Sequence, residues 1–179
     1  MEKILNYIID FKEIDSMGNS VLKQHYETAS KTGVLQISNH KLKEIPEDNI
    51  YEIWTYLKIK YLKYQKLLGL QNLEVLDLSN NKIIEIPSGM SNLYVTELNV
   101  SQNEISILSE DLNQAPRLKI LRLEENCLSL DAILPSLLRD SKIHTINVDG
   151  NLFEPKQLAS VEGYNEYTER YTAMKKKMF

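Results

Sequence analysis

Four segments of this chain share one pattern, L-x-x-L-x-L-x-x-N-x-L, with other apolar residues standing in for leucine. The first copy is Leu73, Leu76, Leu78, Asn81 and Ile83, and the second is Val95, Leu98, Val100, Asn103 and Ile105. The third is Leu118, Leu121, Leu123, Asn126 and Leu128, and the fourth is Ile143, Ile146, Val148, Asn151 and Phe153. The copies begin at 73, 95, 118 and 143, so they are 22, 23 and 25 residues apart. A weaker copy lies upstream as Leu35, Ile37, His40 and Leu42, with His40 where the others carry asparagine. The Ile45-Pro46 pair that follows it recurs as Ile86-Pro87 after Ile83.

A period of roughly 20 to 29 residues with this pattern marks a leucine-rich repeat. One such unit cannot bury its own apolar face, but units stacked on both sides of it can. The predicted fold is therefore α/β: a leucine-rich-repeat solenoid, a short horseshoe with a parallel concave sheet and helical N- and C-terminal caps. Pattern positions one, four, six and eleven are expected in a shared core, and the L-x-L step alternates in and out as a short strand demands. Asn81, Asn103, Asn126 and Asn151 are expected to form an inward ladder. Each amide carries donors and an acceptor for backbone groups that a buried turn leaves unpaired, a structural role rather than a ligand-binding one.

Five regions follow from this reading. Residues 1–16 form an N-terminal extension with an apolar helical pattern, and 17–32 an N-terminal cap. The cap helix is predicted from about Val21 to Lys31, with Ser20 as its N-cap and Gly33 just past its end. Residues 33–153 form the solenoid, interrupted by an irregular segment at 51–72. There Ile53, Leu57, Tyr61, Tyr64 and Leu68 recur at helical spacing, whereas Leu57-x-Ile59 alone reads as a decayed strand. Residues 154–179 form the C-terminal helical cap. Pro155 suits a first helical turn, with Leu158 and Val161 on its apolar side. Tyr164, Tyr167, Tyr171, Met174 and Met178 share one face of a second helix and are expected to cover the last repeat.

Bulk properties narrow the function. The 25 acidic residues outnumber the 21 basic ones, so no nucleic-acid partner is expected. A single cysteine, Cys127, allows no intrachain disulfide, so the fold needs no oxidising compartment. No apolar run reaches the roughly 18 residues of a membrane-spanning helix. Asp10, Glu13 and Asp15 spoil the N-terminus as a signal peptide, which makes the cytoplasm the expected location.

Two stretches carry a more specific likeness. MGNSVLKQHYETASKTGVLQ (Met17 to Gln36), and PRLKILRLEENCLSL continuing through NLFEPKQLASVEGYNEYTERYTAMKKK, resemble the family of leucine-rich repeat-containing protein 57, small intracellular repeat proteins. The resemblance covers residues 17–47 and 73–179. Family members begin at the methionine matching Met17 and hold several more repeats where this chain has 51–72. The resemblance thus implies an N-terminal extension and an internal shortening. Met17-Gly18-Asn19-Ser20 also resembles the start of an N-myristoylation signal, although Leu22 stands where Ser or Thr is usual. A form starting at Met17 would be acylated on Gly18. Peripheral membrane contact would then need a second signal, for which Lys175, Lys176 and Lys177 are candidates.

The outward residues of the repeats form columns. Position five reads Gln36, Asp77, Asn99, Arg122, Asn147, and position seven reads Ser38, Ser79, Ser101, Glu124, Asp149. Position eight reads Asn39, Asn80, Gln102, Glu125, Gly150, and position ten reads Lys41, Lys82, Glu104, Cys127, Leu152. The candidate partner-binding residues are Asp77, Asn99, Glu104, Arg122, Glu124, Glu125, Asn147 and Asp149. The acidic cluster Glu104, Glu124, Glu125 and Asp149 suits a basic segment of a protein partner. No catalytic residue, cofactor or metal is expected. His25, His40 and His144 make no metal-ligand spacing with Cys127, and no glycine-rich phosphate loop or G-x-S-x-G turn is present. Glu124 and Glu125 read as strand neighbours pointing apart, unlike an acid–base pair. The expectation is a monomeric, non-enzymatic scaffold for protein–protein interaction in signalling. The alternatives are a membrane-tethered adaptor and a subunit of a ribonucleoprotein or phosphatase complex.

Overall fold

The computed structural model describes residues 25, 28, 29, 31–39 and 73–177. Within them every copy of the pattern contributes one strand of three residues: β1 (Val34–Gln36), β2 (Val75–Asp77), β3 (Glu97–Asn99), β4 (Ile120–Arg122) and β5 (Thr145–Asn147). All neighbours pair in parallel, in the order β1-β2-β3-β4-β5. The register puts pattern position four in one row: Leu35, Leu76, Leu98, Leu121, Ile146. The strands are this short because only the L-x-L step alternates. The middle residue of each is buried and its two neighbours face outward. β1 pairs directly with β2, so the weak upstream copy and the first strong copy are neighbours in the coil.

Positions one, four, six and eleven of the four strong copies are all buried and form one continuous core. Behind the sheet, short 3-10 segments at Met90–Asn92, Glu110–Gln114 and Leu130–Ala132 close each coil, with Met90 and Leu112 buried in the first two and Ile133 buried just past the third. Ser109 caps the second of these by accepting from the Asp111 nitrogen at 3.3 Å. The spacing from the third to the fourth copy is the longest of the set, and the extra chain holds a helix, α1 (Pro135–Arg139). Pro135 begins it, where a missing N–H costs nothing, and it buries Leu137 and Leu138.

At the N-terminal end Thr28, Ala29, Lys31 and Thr32 are helical, and the Gly33 nitrogen donates to the Ala29 carbonyl at 2.9 Å. The predicted start of this helix at Ser20 and Val21 lies outside the described residues, as do Gly18, His40, Lys41, the extension and the irregular segment 51–72. At the C-terminal end Pro155 opens a tighter 3-10 helix, Pro155–Ser160, rather than an α-turn, and Leu158 is its buried residue. Gly163 then turns the chain into α2 (Tyr164–Lys176). Of the predicted stripe Tyr167 is buried, Tyr164 and Met174 are half-buried and Tyr171 is exposed, while Met178 lies outside the described residues. No helix among the described residues is long and apolar enough to cross a membrane.

Candidate partner-binding surface

The alternation that sends position four into the core sends positions three and five outward together. Position three was not among the sequence-derived columns, and it reads Val34, Val75, Glu97, Ile120, Thr145. The alternation itself was the signal for it. Position eight, by contrast, is not part of a strand. Asn39, Asn80, Gln102 and Glu125 have φ of 64°, 53°, 56° and 54°, and Gly150 has 76°. The chain makes a left-handed turn there in every repeat. This corrects the reading of Glu124 and Glu125 as strand neighbours: β4 ends at Arg122, and Glu125 sits in the turn.

On the sheet the polar side chains link across repeats. Arg122 Nε lies 2.5 Å from Glu97 Oε1, and its Nη1 lies 4.0 Å from Glu124 Oε1. The hydrogen bond to Glu97 is the main reason the Arg122 guanidinium holds its proton more tightly than usual. Asn147 Nδ2 donates to Glu124 Oε1 at 2.9 Å, whereas Glu124 Oε2 is shut from solvent without a hydrogen-bond partner. Toward the N-terminal side the residues satisfy their own turns. Asp77 Oδ1 accepts from the Ser79 nitrogen at 2.9 Å, and Asn99 Oδ1 accepts from the Ser101 nitrogen at 3.1 Å. In the turn row, Gln102 Nε2 donates to Glu125 Oε2 at 3.2 Å, and Asn80 Nδ2 to Asn39 Oδ1 at 2.5 Å. Asp149 is exposed in the next repeat beside Glu124, and Glu104 is exposed at position ten, off the strands.

The asparagines at position nine point inward. Asn103 Nδ2 donates to Leu78 O, Val100 O and Ser101 O at 2.9–3.1 Å, and its Oδ1 accepts from the Ile83 nitrogen at 3.0 Å. Asn126 repeats this with Val100, Leu123 and Glu124 as acceptors and the Ile105 nitrogen as donor. Asn81 donates to Ile37, Leu78 and Ser79. Asn151 donates to Leu123 and Val148 and accepts from Leu128. Each amide thus ties one repeat to the one before it. All four are occupied by backbone and offer nothing to a ligand.

Cys127 is exposed and unpaired. His144 Nδ1 lies 3.0 Å from Thr145 Oγ1, and burial, then the Lys119 charge, lowers its pKa below the usual histidine value. Among the described residues no group of three His, Cys, Asp or Glu side chains could hold a metal ion.

A single parallel sheet on one face of a coil, tied by an inward asparagine ladder, defines a leucine-rich-repeat solenoid. Residues 72–93 match the Leucine Rich Repeat family. Mouse podocan is 30% identical over 131 residues, which is 67% of this chain and 21% of podocan. Podocan-like protein 1 of mouse is 28% identical over 132 residues, covering 67% of this chain and 23% of that protein. Rat lumican is 29% identical over 144 residues, covering 76% of this chain and 41% of lumican. The chain therefore spans well under half the length of these curated relatives. A solved leucine-rich-repeat protein of Leptospira interrogans aligns with a TM-score of 0.43 at 24% identity, over 57% of this chain and 25% of that one.

Proposed function

We propose that this protein is a non-enzymatic scaffold that receives a basic segment of a protein partner on the C-terminal half of its concave sheet. Extended concave faces are how solenoids of this kind bind. One observation carries the reading. Arg122 is the only base in columns three, five and seven of the described strands, and it is neutralised by Glu97 at 2.5 Å. Carboxylates outnumber it there: Glu124 lies 4.0 Å from Arg122 Nη1, and among the described residues no base pairs with Glu125 or Asp149. A lysine or arginine from a partner would complete the arrangement and would chiefly raise association rate and selectivity. Asn99 and Asn147 form the polar floor along which such a segment would lie, with the Asp77 carboxylate at its N-terminal side. Glu104 lies outside it, at position ten. The proposed setting is the cytoplasm, in keeping with the single cysteine and with the resemblance to the leucine-rich repeat-containing protein 57 family.

The test is capture of partners from cell lysate, read by mass spectrometry. Wild type is compared with a variant carrying Glu124→Lys, Glu125→Lys and Asp149→Lys that shows the same circular dichroism. A specific partner held by wild type and lost by the variant supports the reading. The same partner held by both proteins refutes it.

A further inference from the structure

The opposite rim of the same sheet has the opposite charge. Just before pattern position one stand Tyr94, Arg117 and Lys142, and position two reads Glu74, Thr96, Lys119 and His144, so the basic stretch belongs to the last two repeats. The backbone brings these together. The His144 and Thr145 nitrogens both donate to the Lys119 carbonyl, at 3.0 and 3.1 Å, and the Lys119 nitrogen donates to Thr96 O at 2.9 Å. Lys142 Nζ reaches back to the Pro116 carbonyl at 3.1 Å, beside Arg117. Arg117, Lys119 and Lys142 are exposed, and among the described residues none of them forms an ion pair. The neighbouring Arg170 guanidinium is held on the carbonyls of Ile143, Arg139 and Leu138, with Glu166 and Asp140 close enough to offset its charge. The nearby bases that do have carboxylates use them up: Arg139 is paired with Asp140 and Glu162.

We propose that Arg117, Lys119, Lys142 and His144 form a second docking surface, which takes a short acidic segment of a protein partner across the N-terminal ends of β4 and β5. In a chain with four more acids than bases, three cations gathered without one carboxylate among them are an arrangement that a bound anion relieves. Exposed Tyr94, with 57% of its surface open, stands at the position of Arg117 and Lys142 one repeat earlier. The patch is only two repeats wide, and Glu97 and Glu124 lie further along the same face. A long polyanion such as nucleic acid, or a flat anionic bilayer, would meet those carboxylates, whereas a few consecutive Asp or Glu residues would not. This surface does not depend on the acidic concave site, since it lies at the other end of the strands and has the opposite sign.

The probe is a fluorescein-labelled hexaglutamate peptide, titrated by fluorescence anisotropy against the full chain. Arg117→Glu, Lys119→Glu and Lys142→Glu together are expected to weaken binding by at least tenfold. Lys119→Gln alone, which changes one exposed side chain, is expected to weaken it severalfold. Glu124→Gln with Asp149→Asn is expected to leave it unchanged or tighter. The bound peptide is also expected to move the His144 imidazole pKa upward by NMR, because a nearby anion favours the imidazolium. Equal affinity in the triple variant, an unmoved His144, or binding only to phosphatidylserine vesicles and not to the peptide would each overturn the proposal. Absence of any binding at low salt would do the same.

Discussion

The phenolic oxygen of Tyr167 accepts a hydrogen bond from the backbone nitrogen of Ile146 at 3.2 Å. Ile146 is the centre of β5, the last strand, and inside the coil a further strand would take that edge. The tyrosine on α2 stands in for it. Ile146 is 7% exposed, so water cannot readily replace the hydroxyl. Tyr167→Phe keeps the ring and removes the acceptor. It is expected to cost about 1–3 kcal/mol, the penalty for a buried donor left unpaired. Urea denaturation monitored by circular dichroism measures it.

The same group gives a pH signature. Burial is the main reason the Tyr167 phenol titrates above its ordinary value. A group whose folded pKa is raised lends stability that is complete below the unfolded value and is lost as pH rises through the folded one. Stability is therefore expected to fall above pH about 10. The fall should be shallower in Tyr167→Phe, compared by urea midpoints across that range.

The ladder separates its two hydrogen-bonding roles by substitution. Asn126→Ala removes the acceptor of the Ile105 nitrogen and the donor to three carbonyls. Asn126→Asp keeps an acceptor oxygen and loses the donor. The alanine variant is expected to lose several kcal/mol, at about 1–3 per buried group left alone, and the aspartate variant at least as much near neutral pH, because its buried carboxylate would face three carbonyl oxygens. Hydrogen exchange of the Ile105 amide should become fast in Asn126→Ala.

What could be read from sequence was whatever every repeat needs in the same place. A buried position four and an inward asparagine recur because each coil meets the same neighbours, so Leu98 and Asn103 announce Leu121 and Asn126. The spacing of 25 residues before the fourth copy carried no reading of its own, although α1 occupies the extra length. The turn at position eight was hidden because the pattern leaves that position free. Asn39, Asn80 and Gly150 suit a positive φ, but Gln102 and Glu125 do not advertise one. The Glu97–Arg122 pair joins residues 25 apart in sequence through the register of β3 and β4, and no local signal encodes it. The Tyr167 hydroxyl is similar. Spacing put its ring on the covering face, but only the packed helix decides which amide it meets.

Two glycines in left-handed turns should differ in what they tolerate. A Cβ on Gly163 would lie 2.7 Å from the Arg139 nitrogen and 2.9 Å from the Pro135 carbonyl, both backbone atoms of α1. At Gly150 the nearest atom, at 3.0 Å, is Glu125 Cγ on a side chain, and the nearest backbone atoms, Glu125 Cα and N, stand off at 3.3 Å. Gly150→Ala is expected to cost about 1–2 kcal/mol, the strain of a left-handed alanine. Gly163→Ala is expected to cost clearly more and to loosen α2 from α1. Thermal denaturation of the two variants ranks them, and equal losses would mean that α1 shifts freely.

His144 reports on the basic rim. Its pKa lies below the ordinary histidine value, first because of burial and second because of Lys119. A depressed folded pKa means that the neutral ring is favoured in the native state. The stability it lends is present above pH about 6.5 and is lost as pH falls through the folded value. Lys119→Ala is expected to raise the His144 pKa part of the way back, since burial, the larger cause, remains. Lys119→Glu is expected to raise it further. An NMR titration of the imidazole follows both. A pKa that does not respond to either change would mean that the Lys119 charge does not reach the ring, and the cations of this rim would then be too far apart to act on one ligand together.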